Sequence, residues 1–131
     1  MSLFLTDEER RQVQAQRHEE PLASFLWVLQ NRCARRAEDP GLITRDTTVA
    51  WWHCAAEYVT DAAMAYAVKP DERLGGWLRN TVMGIVRRPV DDWVGPPFRD
   101  HSDPPMGHLE TAHLSWACAV ALDLAPEVFT A

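Results

Sequence analysis

The stretch DERLGGWLRNTVMGIVRRP, Asp71–Pro89, decides the fold class. Leu74, Trp77, Leu78, Thr81, Val82 and Ile85 recur in it with a three- and four-residue rhythm, which lines them along one side of a helix. Asp71 stands where a side-chain oxygen can accept from free first-turn amides. Arg87-Arg88-Pro89 then supplies cations for the negative end of the helix and a residue that stops it. Gly75, Gly76 and Gly84 oppose the helix by about 1 kcal/mol each relative to alanine. The apolar stripe, rather than intrinsic propensity, therefore predicts this helix.

The same rhythm extends in both directions. Upstream, residues 47–68 carry a stripe of Val49, Trp52, Ala56, Val59, Ala63 and Tyr66, closed by Lys69-Pro70. Ala55, Ala62, Ala65 and Ala67 surround that stripe, so other helices can approach closely. Before it, Leu22, Phe25, Leu26, Leu29 and Cys33 predict a helix with Pro21 in its first turn, Arg32, Arg35 and Arg36 at its end, and a stop at Asp39-Pro40-Gly41. Thr6-x-x-Glu9 is a capping box that opens a short polar helix running to His18. Downstream, a last helix starts near His108 with the stripe Leu109, Ala112, Trp116, Ala117, Val120, Ala121 and Leu124, ending at Pro126. No alternation of period two occurs. The expectation is an all-α chain of about five helices in a single segment, residues 1–131.

Between the last two helices, residues 87–107 hold five of the nine prolines and no periodicity. A loop this long within a compact unit is commonly functional or disordered. Pro126–Ala131 reads as a linker that reaches an N-cap threonine of a further helix, so the chain is expected to be the N-terminal piece of a longer protein.

Composition narrows the function. Hydrophobic residues make up 47% and charged residues 24%, a globular balance. The formal net charge of −6 disfavours nucleic acid as a partner, because such binders carry a basic stripe. No run of apolar residues approaches membrane length, so no membrane partner is expected. Met1–Leu5 lacks a basic leader, which predicts a cytoplasmic protein, or an exported one whose signal has been removed. Twelve of the 13 basic residues are arginine, a side chain whose planar fork suits carboxylates and sulfates but whose abundance also tracks genome composition. Cys33, Cys54 and Cys118 are odd in number, far apart and embedded in apolar helical patterns. They read as small hydrophobes rather than as a disulfide frame or a zinc site.

Two clusters carry possible chemistry. His101, Asp103, His108, Glu110 and His113 resemble a metal set superficially, but His-Leu-Glu-Thr-Ala-His lacks zincin spacing and no second carboxylate–histidine pair completes a site. No metal and no cofactor is expected. Trp93, Phe98 and Arg99 on the proline-rich loop are what a sugar-binding rim uses, and equally what a loop uses to pin itself down. Trp52 belongs to a core stripe. Trp51 points elsewhere and suits an inter-helix contact better than a sugar platform.

Three passages together resemble the N-terminal helical domain of heparinase II/III-like and alginate-lyase-like proteins. They are Phe4–Arg10, a capped polar helix; Ala62–Val68 followed by Lys69-Pro70-Asp71-Glu72-Arg73-Leu74; and Gly107–Ala112 running to Ala119–Leu124. In the last, Leu122 stands where the family has tyrosine before Asp-Leu. The resemblance implies an incomplete α/α toroid of antiparallel helical hairpins around a cleft for a uronate-containing acidic polysaccharide or oligosaccharide, cleaved by β-elimination. It also implies catalytic residues beyond residue 131, so that Tyr58 and Tyr66 inherit no catalytic role and this segment alone is inactive. Under it, Trp93, Arg99, His101, His108 and Glu110 are the substrate-binding candidates, with Arg99, His101 and His108 facing one groove. A partial ring leaves its last stripe uncovered, which predicts exposed Leu, Val or Trp on the fifth helix or self-association through that open edge. A toroid glycoside hydrolase and a non-enzymatic helical interaction domain are the competing readings.

Overall fold

The computed structural model describes residues 2–38, 49–89, 93 and 109–130, without the side chains of residues 49–53 and 110. The described residues form α1 (Asp7–Gln16), α2 (Leu22–Ala37), α3 (Val49–Val68), α4 (Glu72–Val86) and α5 (Leu109–Leu124), then a 3-10 turn at Pro126–Val128, with no strand. None of these helices is long and apolar enough to cross a membrane.

The expected stripe of α4 is buried in full: Leu74, Trp77, Leu78, Thr81, Val82 and Ile85 all face the core. Its cap is also as read, with the Leu74 amide donating to Asp71 Oδ1 at 2.8 Å. Thr81, the buried polar residue of this stripe, satisfies its hydroxyl by donating to the Trp77 carbonyl at 2.7 Å. α3 is buried on more sides than one stripe requires. Ala55, Ala56, Val59, Ala62, Ala63, Ala65, Ala67 and Val68 are all inaccessible, and α1, α2, α4 and α5 all pack on it.

α5 makes the most extensive packing with α3. Arg10 Nη2 donates to the Asp123 carbonyl at 3.2 Å, and Gln14 Nε2 donates to the Ala67 carbonyl at 2.7 Å. Arg10 and Gln14 are one turn apart on α1, so the C-terminal ends of α3 and α5 lie beside each other and the two helices run the same way. Carbonyls in a last turn lack intrahelical partners. α1, which buries no residue completely, supplies them with donors from its own side chains. After the turn Lys69–Asp71, α4 begins where α3 and α5 finish, and Arg79 Nη1 donates to the Val128 carbonyl at 3.3 Å.

The N-terminus is tied to the same end. The Asp123 carboxylate accepts from the Leu3 amide (2.8 Å), the Phe4 amide (3.0 Å) and the Ser2 hydroxyl (2.8 Å). Thr6 and Glu9 then form the expected capping box, the Glu9 amide donating to Thr6 Oγ1 at 3.2 Å and the Thr6 amide to Glu9 Oε2 at 2.8 Å.

Several expectations need correction. Phe25 is 60% exposed, because it lies at the edge of the stripe and Leu26, Leu29 and Cys33 suffice to seat α2. Pro21 is the residue before α2 rather than part of its first turn, and α1 ends at Gln16, within two residues of the expected end. On α5, Leu109, Ala112 and Trp116 are exposed, while Leu114 and Cys118 occupy the core with Ala117, Val120, Ala121 and Leu124. That helix is apolar nearly all round, so its periodicity does not choose the buried face. Pro126–Val128 forms a 3-10 turn against α4 and α5. The expected stop at Asp39-Pro40-Gly41 lies outside the described residues, as does the loop 87–107 apart from residues 87–89 and Trp93.

Two outcomes follow from this packing. A Cβ at Gly75 would sit 2.9 Å from Tyr66 Cε2, whereas at Gly76 and Gly84 it would meet nothing within 4 Å. Gly76→Ala and Gly84→Ala should each stabilise the protein by about 0.5–1 kcal/mol through helix propensity. Gly75→Ala should gain less or lose stability, because the Tyr66 ring must move. Urea denaturation of the three variants checks this ordering, and an equal gain at all three positions contradicts the close approach.

The second outcome concerns pH. Partial burial raises the Asp123 pKa, but the bonds from Leu3, Phe4, Ser2 and Leu5 outweigh it and hold the group below its usual 3.8. A depressed folded-state pKa contributes stability that is complete above the unfolded value and is lost as pH falls through the folded one. Asp123→Ala should therefore cost about 1 kcal/mol at neutral pH, comparable to losing a helix cap, with the difference from wild type shrinking toward pH 3 in thermal melts. A difference that stays constant across that range would rule this contribution out.

Candidate functional site

The loop and α5 candidates are only partly placed. Arg99, His101 and His108 lie outside the described residues, and Glu110 is in the first turn of α5 without a described side chain. Trp93 is half-buried and packs on the core, and its carbonyl accepts from Thr111 Oγ1 at 2.7 Å. Residue 93 is thereby pinned to the start of α5, with part of its indole left open. His113, one turn further along α5, is half-buried, and its ring lies 6.4 Å from that of Trp116. Trp116 in turn meets Phe4 edge-on at 6.4 Å.

A second surface, on α2, was not expected. Trp27 is 68% exposed. Asn31 and Arg35 follow it at four-residue steps and so continue the same line along the helix, over about 12 Å. Asn31 Nδ2 donates to the Trp27 carbonyl at 2.9 Å, which orients the amide and leaves its oxygen free to accept. Arg32, half exposed, flanks this line, and Arg35 is exposed on it. The stripe Leu26, Leu29 and Cys33 takes the opposite side into the core, which forces Trp27 outward. The sequence held a signal for this: Trp27 is a large apolar side chain that fits no core stripe.

Behind this line the arginines are fixed rather than loose. Arg36 Nη1 donates to Asp61 Oδ2 at 2.7 Å, Arg32 Nη2 lies 3.2 Å from the same oxygen, and the Arg36 guanidinium stacks 3.6 Å above the Tyr58 ring. One carboxylate thus serves two guanidinium groups, and Arg35 adds a third cation, so the surface is locally positive on an acidic chain. A flat exposed indole beside planar forks can do two things at once. The ring packs on the C–H face of a pyranose, and the guanidinium groups pair with a carboxylate or sulfate.

Tyr66 is no candidate base. Burial raises its phenol pKa, Glu127 adds to that and Arg10 opposes it, and its ring is closed against Gly75. Two thiols are poor nucleophiles as well: burial pushes both Cys33 and Cys118 up to about 11. No group of His, Cys, Asp and Glu among the described residues is arranged to hold a metal ion.

Comparison with known proteins gives no match, whether to a family model, a curated protein or a solved structure.

The Asp61 cluster makes one chemical prediction. After burial, the Asp61 charge is the main influence raising the Cys33 pKa, with Arg36 and Arg32 opposing. Asp61→Asn should lower that pKa and speed alkylation of Cys33 at about pH 9, because the thiolate is the reactive form. Cys118, raised by burial alone, should react at its former rate. Peptide mapping after timed iodoacetamide treatment measures both, and an unchanged Cys33 rate would remove the electrostatic link.

Proposed function

We propose that this chain is part of an α/α toroid protein that acts on uronate-containing acidic polysaccharide, as a polysaccharide lyase. The observation that carries the reading is the exposed line of Trp27, Asn31 and Arg35 flanked by Arg32. It combines a sugar-stacking surface with the cations a polyanion needs, on a chain whose overall charge is −6. Exposed charges act over only about 10 Å at ordinary salt, so a local cluster suffices. The side-by-side, same-direction pairing of α3 and α5 supports a toroid, in which alternate helices line the ring. In β-elimination one group neutralises the uronate carboxylate, a base takes the C5 proton and an acid protonates the departing glycosidic oxygen. None of those roles is assigned to Tyr58 or Tyr66, which are engaged with Arg36 and Gly75. Trp93, Arg99, His101, His108 and Glu110 are proposed to form a second contact with the polymer at the loop and the start of α5.

A second reading, a helical interaction domain, would use as its docking face the exposed Leu109, Trp116 and Leu122 of α5, the same exposure that an incomplete ring predicts.

The full product of the gene should release unsaturated uronates, seen as near-ultraviolet absorbance, from an acidic polysaccharide. Trp27→Ala, Arg35→Ala and Arg99→Ala should raise KM several-fold with little change in melting temperature, whereas Trp93→Ala, which also removes a packing contact, should lower the melting temperature as well. Absence of unsaturated product across alginate, heparin and related uronates overturns the lyase reading. Self-association through α5 is expected of an incomplete ring as well, so only self-association abolished by Trp116→Ala together with the absence of unsaturated product would favour the interaction domain.

A further inference from the structure

A separate cavity of about 240 Å³ opens where α2, α3 and α4 meet. Its floor is apolar: Cys33, Ala34 and Ala37 from α2, Ala65 from α3 and Leu74 from α4. Alanine stands at three of these wall positions, where larger side chains would fill the space. The mouth is charged, with Lys69, Asp71 and Arg73 around it and Gln30 on the α2 side.

The charges at the mouth are unequally engaged. Asp71 is committed to the Leu74 amide at 2.8 Å as the cap of α4. Arg73 makes only a loose pair with Glu38, 3.8 Å apart and largely exposed on both sides. Lys69, the single lysine of the chain, follows α3 and is exposed. Its position just past the last turn of α3 is where a cation is favoured by the helix dipole, and its ammonium can swing across the opening. The mouth is formally neutral, two cations against Asp71 and Glu38, but Asp71 is turned to the first-turn amides of α4 and Glu38 is paired with Arg73, so Lys69 is the charge left for an incoming anion above an apolar floor.

We propose that this cavity binds a small amphipathic monocarboxylate, with its hydrocarbon part against Cys33, Ala37, Ala65 and Leu74 and its carboxylate on the Lys69 ammonium. The volume is below the roughly 300–1,000 Å³ of sites for drug-sized ligands, which fits a short-chain acid and excludes a polymer. The site is independent of the polysaccharide reading, since Trp27 and Arg35 do not line it.

The test is a titration of the isotopically labelled chain with hexanoate, followed by amide shifts, with hexylamine and acetate as controls. Hexanoate should shift amides around Cys33, Ala37, Ala65 and Leu74 with a dissociation constant on the order of 1 mM, as expected for so small a ligand. Hexylamine, with the wrong charge, and acetate, without the chain, should bind at least about tenfold more weakly, a difference of roughly 1.4 kcal/mol. Lys69→Gln should weaken hexanoate several-fold. Ala34→Leu, at an exposed wall position where the added bulk does not disturb the core, should abolish binding without lowering the melting temperature. Bound hexanoate should also slow alkylation of Cys33 and leave Cys118 unaffected. The proposal is overturned if hexanoate moves no amides at this junction, if hexylamine binds equally well, or if the folded Ala34→Leu variant binds as wild type does.

Discussion

Close approach to α3 is the constraint on which the rest of the structure depends. Ala55, Ala56, Ala62, Ala63, Ala65 and Ala67 put alanine at six of the buried positions in the central and last turns of this helix. Its neighbours can therefore come near from several directions, and α5 lies along it for most of its length. Small residues bury little area each, so such an axis is stabilised by the larger side chains its neighbours bring to it. Leu78, Ile85, Leu114 and Leu124 are the bulkiest fully buried examples, all from α4 and α5. Drawing α3 and α5 together also gathers two sets of unpaired carbonyls at one end. Arg10 and Gln14 answer that need, which explains why a helix as polar as α1 is retained at all.

The elements were legible wherever pattern and local chemistry agreed. In α4 the stripe, the Asp71 cap and the closing arginines all point to one helix, and the three glycines were outweighed. The Thr6–Glu9 box was equally readable, because it is a contact between residues three apart. Faces were harder to read than elements. α5 presents apolar residues in every direction, and only its partner determines that Leu114 rather than Leu109 turns inward. By pattern Asp123 is only a carboxylate in the last turn of a helix, yet its task depends on a segment some 120 residues away. A one-dimensional pattern carries no trace of such a contact.

The candidate site followed the same division. Trp93 was singled out for lying in a proline-rich loop, and it turns out to be partly a packing residue held by Thr111. Trp27 sits inside a well-formed helix, where an apolar residue ordinarily belongs to the core, so its apolar character alone does not mark it as a surface residue. Its exposure follows from arithmetic on the α2 stripe alone: once Leu26, Leu29 and Cys33 define the buried side, residue 27 has nowhere to go but outward. The ion cluster behind it needed the fold, since Arg36 and Asp61 are 25 positions apart.

The tether between Ser2–Phe4 and Asp123 bears on how the protein is made. The ribosome releases α1 first, but Asp123 emerges about 120 residues later. At roughly 5–20 residues per second, that leaves the N-terminal strap without its anchor for some 6–24 s. During this interval Arg10 can find no Asp123 carbonyl, and α1, with no completely buried residue of its own, is held only by its contacts with α3. Its polar surface then becomes an advantage, since a nascent segment without a sticky face can wait in solution. Gln14 can meet the Ala67 carbonyl once α3 is out, but the Ser2–Phe4 strap and Arg10 wait for Asp123, so their docking marks the completion of α5.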